Sequence, residues 1–136
     1  MQRGPKPMPR NLRLVRGDKS RLNPDEPIVE VAAPDAPDYL TERERQVFTE
    51  NAVKLARMRV MTEVDIDALA VYAVNFVRWR EACKMVEDTG YIMQAPSGYP
   101  VPNPVLAIAN KAQAEFMRIA TEFGMTPSSR TRVKAE

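Results

Sequence analysis

The chain has 136 residues, a net charge of +2, a single cysteine and no histidine. This length allows one domain at most, and the composition excludes an internal disulfide, histidine-based catalysis and histidine metal ligands. The sequence contains neither a signal peptide nor an apolar run of the roughly 18 residues that indicates a membrane-spanning helix. We therefore expect a soluble intracellular protein with no membrane partner.

The first 38 residues differ in composition from the rest of the chain. Residues 1–21 carry seven basic residues and one acidic residue, whereas residues 22–38 carry five acidic residues and no basic one. Seven of the twelve prolines also fall within residues 1–38. This composition predicts a flexible, disordered arm, and its basic half indicates a polyanion as partner. A solvated tail that binds nothing is the alternative.

The first predicted helix begins after Thr41. This residue is a suitable N-cap, and Glu44 three positions later completes a capping box. The helix should end near Arg59, and its buried face is marked by three residues at helical spacing, Phe48, Ala52 and Leu55. A tight connection to the next helix favours an antiparallel helical hairpin.

The second predicted helix is the longest, and it carries the most apolar surface. Thr62 is its expected N-cap with Asp65 as the return partner, and Gly90 should end it as a left-handed cap. One apolar seam follows at steps of three and four, at Leu69, Tyr72, Phe76, Trp79, Cys83 and Val86. A second strip lies beside it, at Ile66, Ala70, Ala73, Val74 and Val77. Because two strips need more cover than a small chain supplies, we expect copies of the chain to bury part of this helix.

A short hairpin or loop is predicted for residues 91–102, and a third helix follows it. Prolines at positions 100 and 102 restrict any second strand to a sheet edge. Asn103 should cap the third helix, which ends at Gly124. Its apolar face comprises Val105, Ala109, Ala112, Phe116, Ile119 and Phe123. Thr126 and Pro127 are suited to one further turn.

These elements together predict an all-α fold. It consists of an antiparallel helical hairpin with a long central helix, a short hairpin or loop, and a third helix. We expect a flexible basic-then-acidic arm at residues 1–38, a helical oligomerisation core at 39–124 and a basic tail at 125–136.

No residue pattern in the chain indicates catalysis or a cofactor. The five glycines are scattered, and none forms a phosphate-binding loop. Glu63, Asp65 and Asp67 are better read as acids that complement a helix dipole than as metal ligands, because side chains two apart on a helix do not face together. Cys83 lies on the apolar seam, which favours a buried, inert thiol. We expect a protein that is not an enzyme and that binds no metal or cofactor.

Several segments resemble the phage terminase small subunits that have a Pro/Arg-rich arm and a helical core. The similarity lies in the segments RGPKP (3–7), LVRGDKSRLNPDEP (14–27), MTEVDIDALAVY (61–72), FVRWREA (76–82), NPVLAIANKA (103–112) and EFGMTPSSR (122–130). The chain departs from the family pattern at Gly17-Asp18-Lys19 in the arm. It departs again at Arg59-Val60, where a glycine often precedes the final apolar residue of the helical hairpin.

The resemblance implies a role in packaging phage DNA. Such proteins form rings, recognise double-stranded viral DNA at the packaging start, and recruit and regulate the large terminase subunit, which holds the ATPase and the nuclease. The expected location is the host cell cytoplasm.

Two groups of residues are the expected sites. DNA contact is predicted for the basic residues of the arm and tail, Arg3, Lys6, Arg10, Arg13, Arg16, Lys19, Arg21, Arg130, Arg132 and Lys134. The interface between copies in a homo-oligomeric ring is predicted for Leu69, Tyr72, Phe76, Trp79, Ala109, Ala112 and Phe116.

Two other functions fit a helical chain with a basic arm. One is a helical DNA-binding transcriptional regulator that uses residues 41–59 and 62–87 as a helix-turn-helix, although the second helix is long and apolar for a groove reader. The other is a structural adaptor without a nucleic-acid role.

Overall fold

A computed structural model describes residues 33–61 and 63–130 of the chain. Its elements in chain order are α1 (Glu42–Arg57), a 3-10 turn (Glu63–Asp65), α2 (Ile66–Thr89), β1 (Ile92–Gln94), β2 (Pro100–Pro102) and α3 (Val105–Glu122). These residues are mostly helical, as predicted, and the predicted hairpin forms a small two-stranded sheet. The arm up to residue 32, the predicted cap Thr62 and the tail from residue 131 lie outside the described residues.

The capping box at the start of α1 is confirmed. Glu44 N–H donates to Thr41 Oγ1 at 3.4 Å, and Thr41 N–H donates to Glu44 Oε2 at 2.9 Å. The two bonds satisfy backbone donors that have no partner inside the helix. Local sequence therefore fixes the first residue of this helix.

A Schellman motif ends α1 just before the connection to α2. Val60 N–H donates to Leu55 O at 3.1 Å, and Arg59 N–H donates to Ala56 O at 2.9 Å. This pair of bonds requires a left-handed residue between helix and connection. Arg59 takes that conformation, with φ 57°. Arginine thus stands at the position where glycine is favoured.

The start of α2 differs from the prediction. Residues Glu63–Asp65 form a 3-10 turn, and the α-helix begins only at Ile66. Tighter turns of this kind are frequent at helix N-termini, because they satisfy backbone groups that the α-helix leaves open. The helix ends at Thr89, followed by Gly90 at φ 84° and ψ 170°. This is an extended conformation open essentially to glycine alone, rather than the predicted left-handed cap.

α2 and α3 run antiparallel to each other. At one end of the pair, Asn103 Nδ2 donates to Thr89 Oγ1 and to Gly90 O, each at 2.8 Å. Farther along, the rings of Tyr72 and Phe116 meet edge to face with centroids 5.9 Å apart. The hairpin between the helices is antiparallel, and Met93 pairs with Val101 at its centre.

Asn103 is confirmed as the cap of α3. Its Oδ1 accepts a hydrogen bond from Val105 N–H at 3.0 Å, which is the bond that an asparagine N-cap makes. Gly124 ends the helix region with φ 71°, as predicted.

One apolar core joins the three helices and the residues that lead into α1. Its buried members are Leu40, Phe48, Ala52, Leu55, Met61, Leu69, Ala70, Tyr72, Ala73, Phe116, Ile119 and Ala120. Members of both apolar strips of α2 are included, because α1 and α3 each pack against this helix. The single chain therefore covers more of α2 than its sequence predicts.

Candidate functional site

The seven basic residues of the predicted DNA-binding arm lie outside the described residues, as do Arg132 and Lys134. Of the predicted DNA-contact residues, the structure describes Arg130, and its side chain is exposed. The arm contacts therefore stay predictions.

A capped turn after α3 positions Arg130. Ser129 N–H donates to Thr126 Oγ1 at 3.3 Å, Thr126 N–H donates to Ser129 Oγ at 3.2 Å, and Arg130 N–H donates to Thr126 O at 3.0 Å. Ser129 is buried, and Met125 packs against the core. Residues 125–130 thus form an ordered link between the core and the last residues of the chain.

Most of the predicted interface residues are buried within the single chain. Leu69, Tyr72 and Phe116 belong to the apolar core of one subunit, Ala109 and Ala112 are also buried, and Phe76 and Trp79 are half-buried. Fully buried side chains cannot contact a second copy while the subunit stays folded. A contact between copies would therefore depend on other side chains and on the exposed parts of Phe76 and Trp79.

An aromatic cluster between α2 and α3 accounts for the burial of several of these residues within the single chain. The Phe116 ring on α3 lies 5.4 Å from Phe76 and 5.2 Å from Trp79 on α2, measured between centroids. Tilted and edge-to-face pairs at such distances are favourable beyond their buried area. Burial also raises the pKa of the Tyr72 phenol above its ordinary value. The cluster fastens α3 to the seam of α2.

A second basic surface lies at the end of α1, outside the arm and tail where DNA contact is predicted first. Lys54, Arg57 and Arg59 are exposed there, and none forms a salt bridge with another described residue. By contrast, Arg43 pairs with Glu81 at 3.3 Å. Cations at a helix C-terminus are favoured by the dipole whatever else they bind. We call this the α1 basic end. Its signal in the sequence is three cations within six residues at a predicted helix end.

The acidic start of α2 has a structural role. Asp67 Oδ1 accepts a hydrogen bond from the Tyr39 hydroxyl at 3.2 Å, which ties the chain before α1 to α2. Within residues 33–61 and 63–130, no cluster of three or more acidic, cysteine or histidine side chains is arranged to hold a metal ion. In the same residues, no helix is long and apolar enough to cross a membrane.

The hairpin presents an exposed apolar surface that the sequence prediction did not assign to any site. Tyr91, Ile92, Met93 and Tyr99 are all exposed. One signal in the sequence points to it, since no charged residue occurs from position 89 to position 110. Exposed apolar side chains that lie together commonly mark an interaction site.

The family model described as phage terminase, small subunit, matches residues 45–136 of the chain. The chain belongs to the phage terminase small-subunit family. No curated protein and no solved structure gives a significant match. The small subunits of terminases are generally non-catalytic, and membership supports a role in phage packaging. The match begins at residue 45, so the two arm segments that resemble the family lie outside it.

Proposed function

We propose that this terminase small subunit binds double-stranded viral DNA at the packaging start and recruits and regulates the large subunit, which supplies the ATPase and nuclease. It acts in the cytoplasm of the infected host cell. The observation that carries the proposal is the family match over residues 45–136. The sequence supports it, since the chain has no histidine and no phosphate-binding loop of its own.

DNA binding through phosphates is the best-supported mode of contact. Residues 1–21 bring seven cations in a proline-rich segment with no predicted helix to fit a groove. Such contacts position a protein on DNA without reading base edges. The tail residues Arg130, Arg132 and Lys134 and the α1 basic end add cations for the same purpose.

Self-association into a ring larger than a dimer is the second part of the proposal. Two observations support it: the family membership and the exposed apolar side chains that the folded chain leaves uncovered. A ring would bring several arms to one DNA duplex, and linked sites bind with far higher avidity than one site.

The alternative of a transcriptional regulator is not favoured by the fold. A recognition helix must present a free face to the major groove. The second helix of the supposed motif, α2, buries Leu69, Ala73 and Val77, and it packs against both α1 and α3. Its first turn and the turn before it are also acidic, which DNA phosphates would repel.

Reconstitution with the cognate large subunit tests the proposed function. The small subunit alone should hydrolyse no ATP and cut no DNA. Added to the large subunit and phage DNA, it should change the rates of ATP hydrolysis and DNA cleavage. A highly purified small subunit with activity of its own would contradict the proposal, as would a large subunit that responds identically with and without it.

A further inference from the structure

The β-hairpin exposes apolar side chains and carries no charge, and the nearest charged residues before it in the chain are the exposed Glu87 and Asp88 of the last turn of α2. Tyr91 is 71% exposed, and Tyr99 is 72% exposed. No charged residue occurs from position 89 to position 110, a range that covers the hairpin and the first turn of α3. Met85 near the end of α2 and Ile108 in the first turn of α3 are also exposed.

Strand pairing puts the two tyrosines on one face of the hairpin. Met93 pairs with Val101, and Ala95 N–H donates to Tyr99 O at 2.9 Å. Because side chains alternate between the faces of a strand, Tyr91, Met93, Tyr99 and the half-buried Val101 share one face, and Ile92 lies on the other. We call this the tyrosine face.

The described chain holds the hairpin at its base, where Asn103 N–H donates to Tyr91 O at 2.8 Å, and leaves its strands largely exposed. A two-stranded sheet is marginally stable alone. Its β2 edge is protected, since Pro100 and Pro102 have no N–H to offer another strand. Its β1 edge keeps the N–H groups of Ile92 and Gln94, and every β1 residue is exposed. An open, apolar edge invites association unless a partner covers it.

The chemistry of this surface favours a permanent protein partner over DNA. DNA affinity depends on cations that neutralise phosphates, and the range from 89 to 110 has none. Permanent interfaces are more apolar than transient ones, and tyrosine is enriched at their energetic centres. The partner that is present whenever this chain is made is another copy of it.

The exposed area fits the centre of such an interface. Aromatic side chains offer roughly 150–250 Å² each, so two tyrosines with about 70% exposed provide on the order of 200–350 Å². A stable interface takes about 800 Å² from each partner. Met93, which is 40% exposed on the same face, adds to this area, and Met85 and Ile108 near the neighbouring helix ends are also exposed.

We propose that the tyrosine face of the hairpin binds a second copy of the chain and forms a contact between subunits of the oligomer. This inference rests on the proposed self-association and names the surface that produces it. It assigns the contact between copies to exposed residues of the hairpin instead of the mostly buried residues of α2 and α3 that the sequence predicted.

Lysine substitutions at the two tyrosines test the proposal. The full chain is compared with Tyr91→Lys, Tyr99→Lys and the double variant by native mass spectrometry and light scattering at matched concentrations. The matched control is Val64→Lys, which puts the same charge on a residue that is 79% exposed in the turn before α2. The double variant should shift to smaller species by at least tenfold in midpoint concentration, and the control should assemble like the parent chain.

The outcomes separate this inference from the proposed function. A parent chain that is monomeric at every concentration overturns both. A parent oligomer whose mass is unchanged in the double variant overturns the tyrosine face alone. Circular dichroism and a thermal melt establish that each variant is folded, and Tyr99→Phe, which keeps the ring, should assemble like the parent. Loss of assembly in Val64→Lys as well would also count against a contact specific to the hairpin.

Discussion

Arg59 occupies a backbone conformation that favours glycine. Its φ of 57° places it in the left-handed region, and the family resemblance had indicated glycine near this position. A residue with a Cβ pays roughly 1–2 kcal/mol in that region. The Schellman bonds around it, from Val60 to Leu55 and from Arg59 to Ala56, hold the conformation in place.

We predict that Arg59→Gly stabilises the chain. Relief of the left-handed strain exceeds the entropy that glycine adds to the unfolded state, so the free energy of unfolding should rise by up to about 1 kcal/mol. Urea denaturation followed by circular dichroism measures it. The matched control is Arg57→Gly, inside the last turn of α1, which should lose about 1 kcal/mol. Equal losses in both variants would contradict the assigned conformation.

Asn103 joins the end of α2 to the start of α3 through one buried side chain. Its amide donates to Thr89 and Gly90 at the end of α2, while its oxygen caps α3. We predict that Asn103→Ala lowers the free energy of unfolding by about 2–3 kcal/mol, because the cap of α3 and two further side-chain hydrogen bonds are lost together. Asn110→Ala, at an exposed asparagine of α3, should change it by less than about 0.5 kcal/mol. Similar small effects in both would show that the junction has little energetic weight.

Among the helices, the residues that begin and end an element were predictable from the sequence. The surface that covers each apolar helix face was not. The capping residues Thr41 and Asn103 and the stop at Gly124 follow from side-chain chemistry within a few positions, so the sequence sufficed to find them. The α-helix of α2 begins later than predicted because a 3-10 turn precedes it. The sequence pattern does not distinguish such a turn from a turn of α-helix. The seam of α2 was visible, but an apolar stripe does not reveal whether its cover is α3 of the same chain or another copy. For this reason, residues that are buried within the single chain were predicted to lie at an interface between copies.

The degree of burial within one chain determines how much stability each aromatic residue of the α2–α3 pair should contribute. We predict that Phe116→Ala costs about 3–5 kcal/mol, because its ring is 6% exposed. Trp79→Ala should cost less than about 3 kcal/mol, because part of its ring remains in water. Denaturation at a concentration where the chain is monomeric provides the comparison. A loss at Trp79 equal to or above that at Phe116 would contradict the packing described.

In the turn after Gly124, within the predicted basic tail, Met125 packs against the core and Ser129 is buried. We predict that ending the chain after Gly124 lowers the free energy of unfolding by about 1–2 kcal/mol, because Met125 loses its apolar contacts. Ending it after Arg130 should leave stability unchanged. Thermal melts of the two truncated chains decide this. Identical melting temperatures would assign the turn to the tail.

For the whole molecule, the described residues form a helical core with basic residues at its margins and an uncharged hairpin at one end. The surface proposed for DNA and the surface proposed for a second copy differ in their chemistry. One is cationic, in the arm, the tail and the α1 basic end; the other is apolar and lacks charge. Because the two proposed surfaces use different residues, substitutions should disrupt assembly and DNA binding independently.

The salt dependence of DNA affinity tests the central claim most directly, since it counts the phosphates that the chain neutralises. Affinity for phage duplex DNA is measured between low and physiological salt for the full chain and for a chain that lacks residues 1–21. Each phosphate contact contributes a slope of about −0.9, so three or four contacts from one arm give roughly −3, and several arms steepen it. The deletion should weaken binding and flatten the slope while leaving the oligomer intact. Unchanged affinity and slope after the deletion would contradict the account and make Lys54, Arg57 and Arg59 the candidate site.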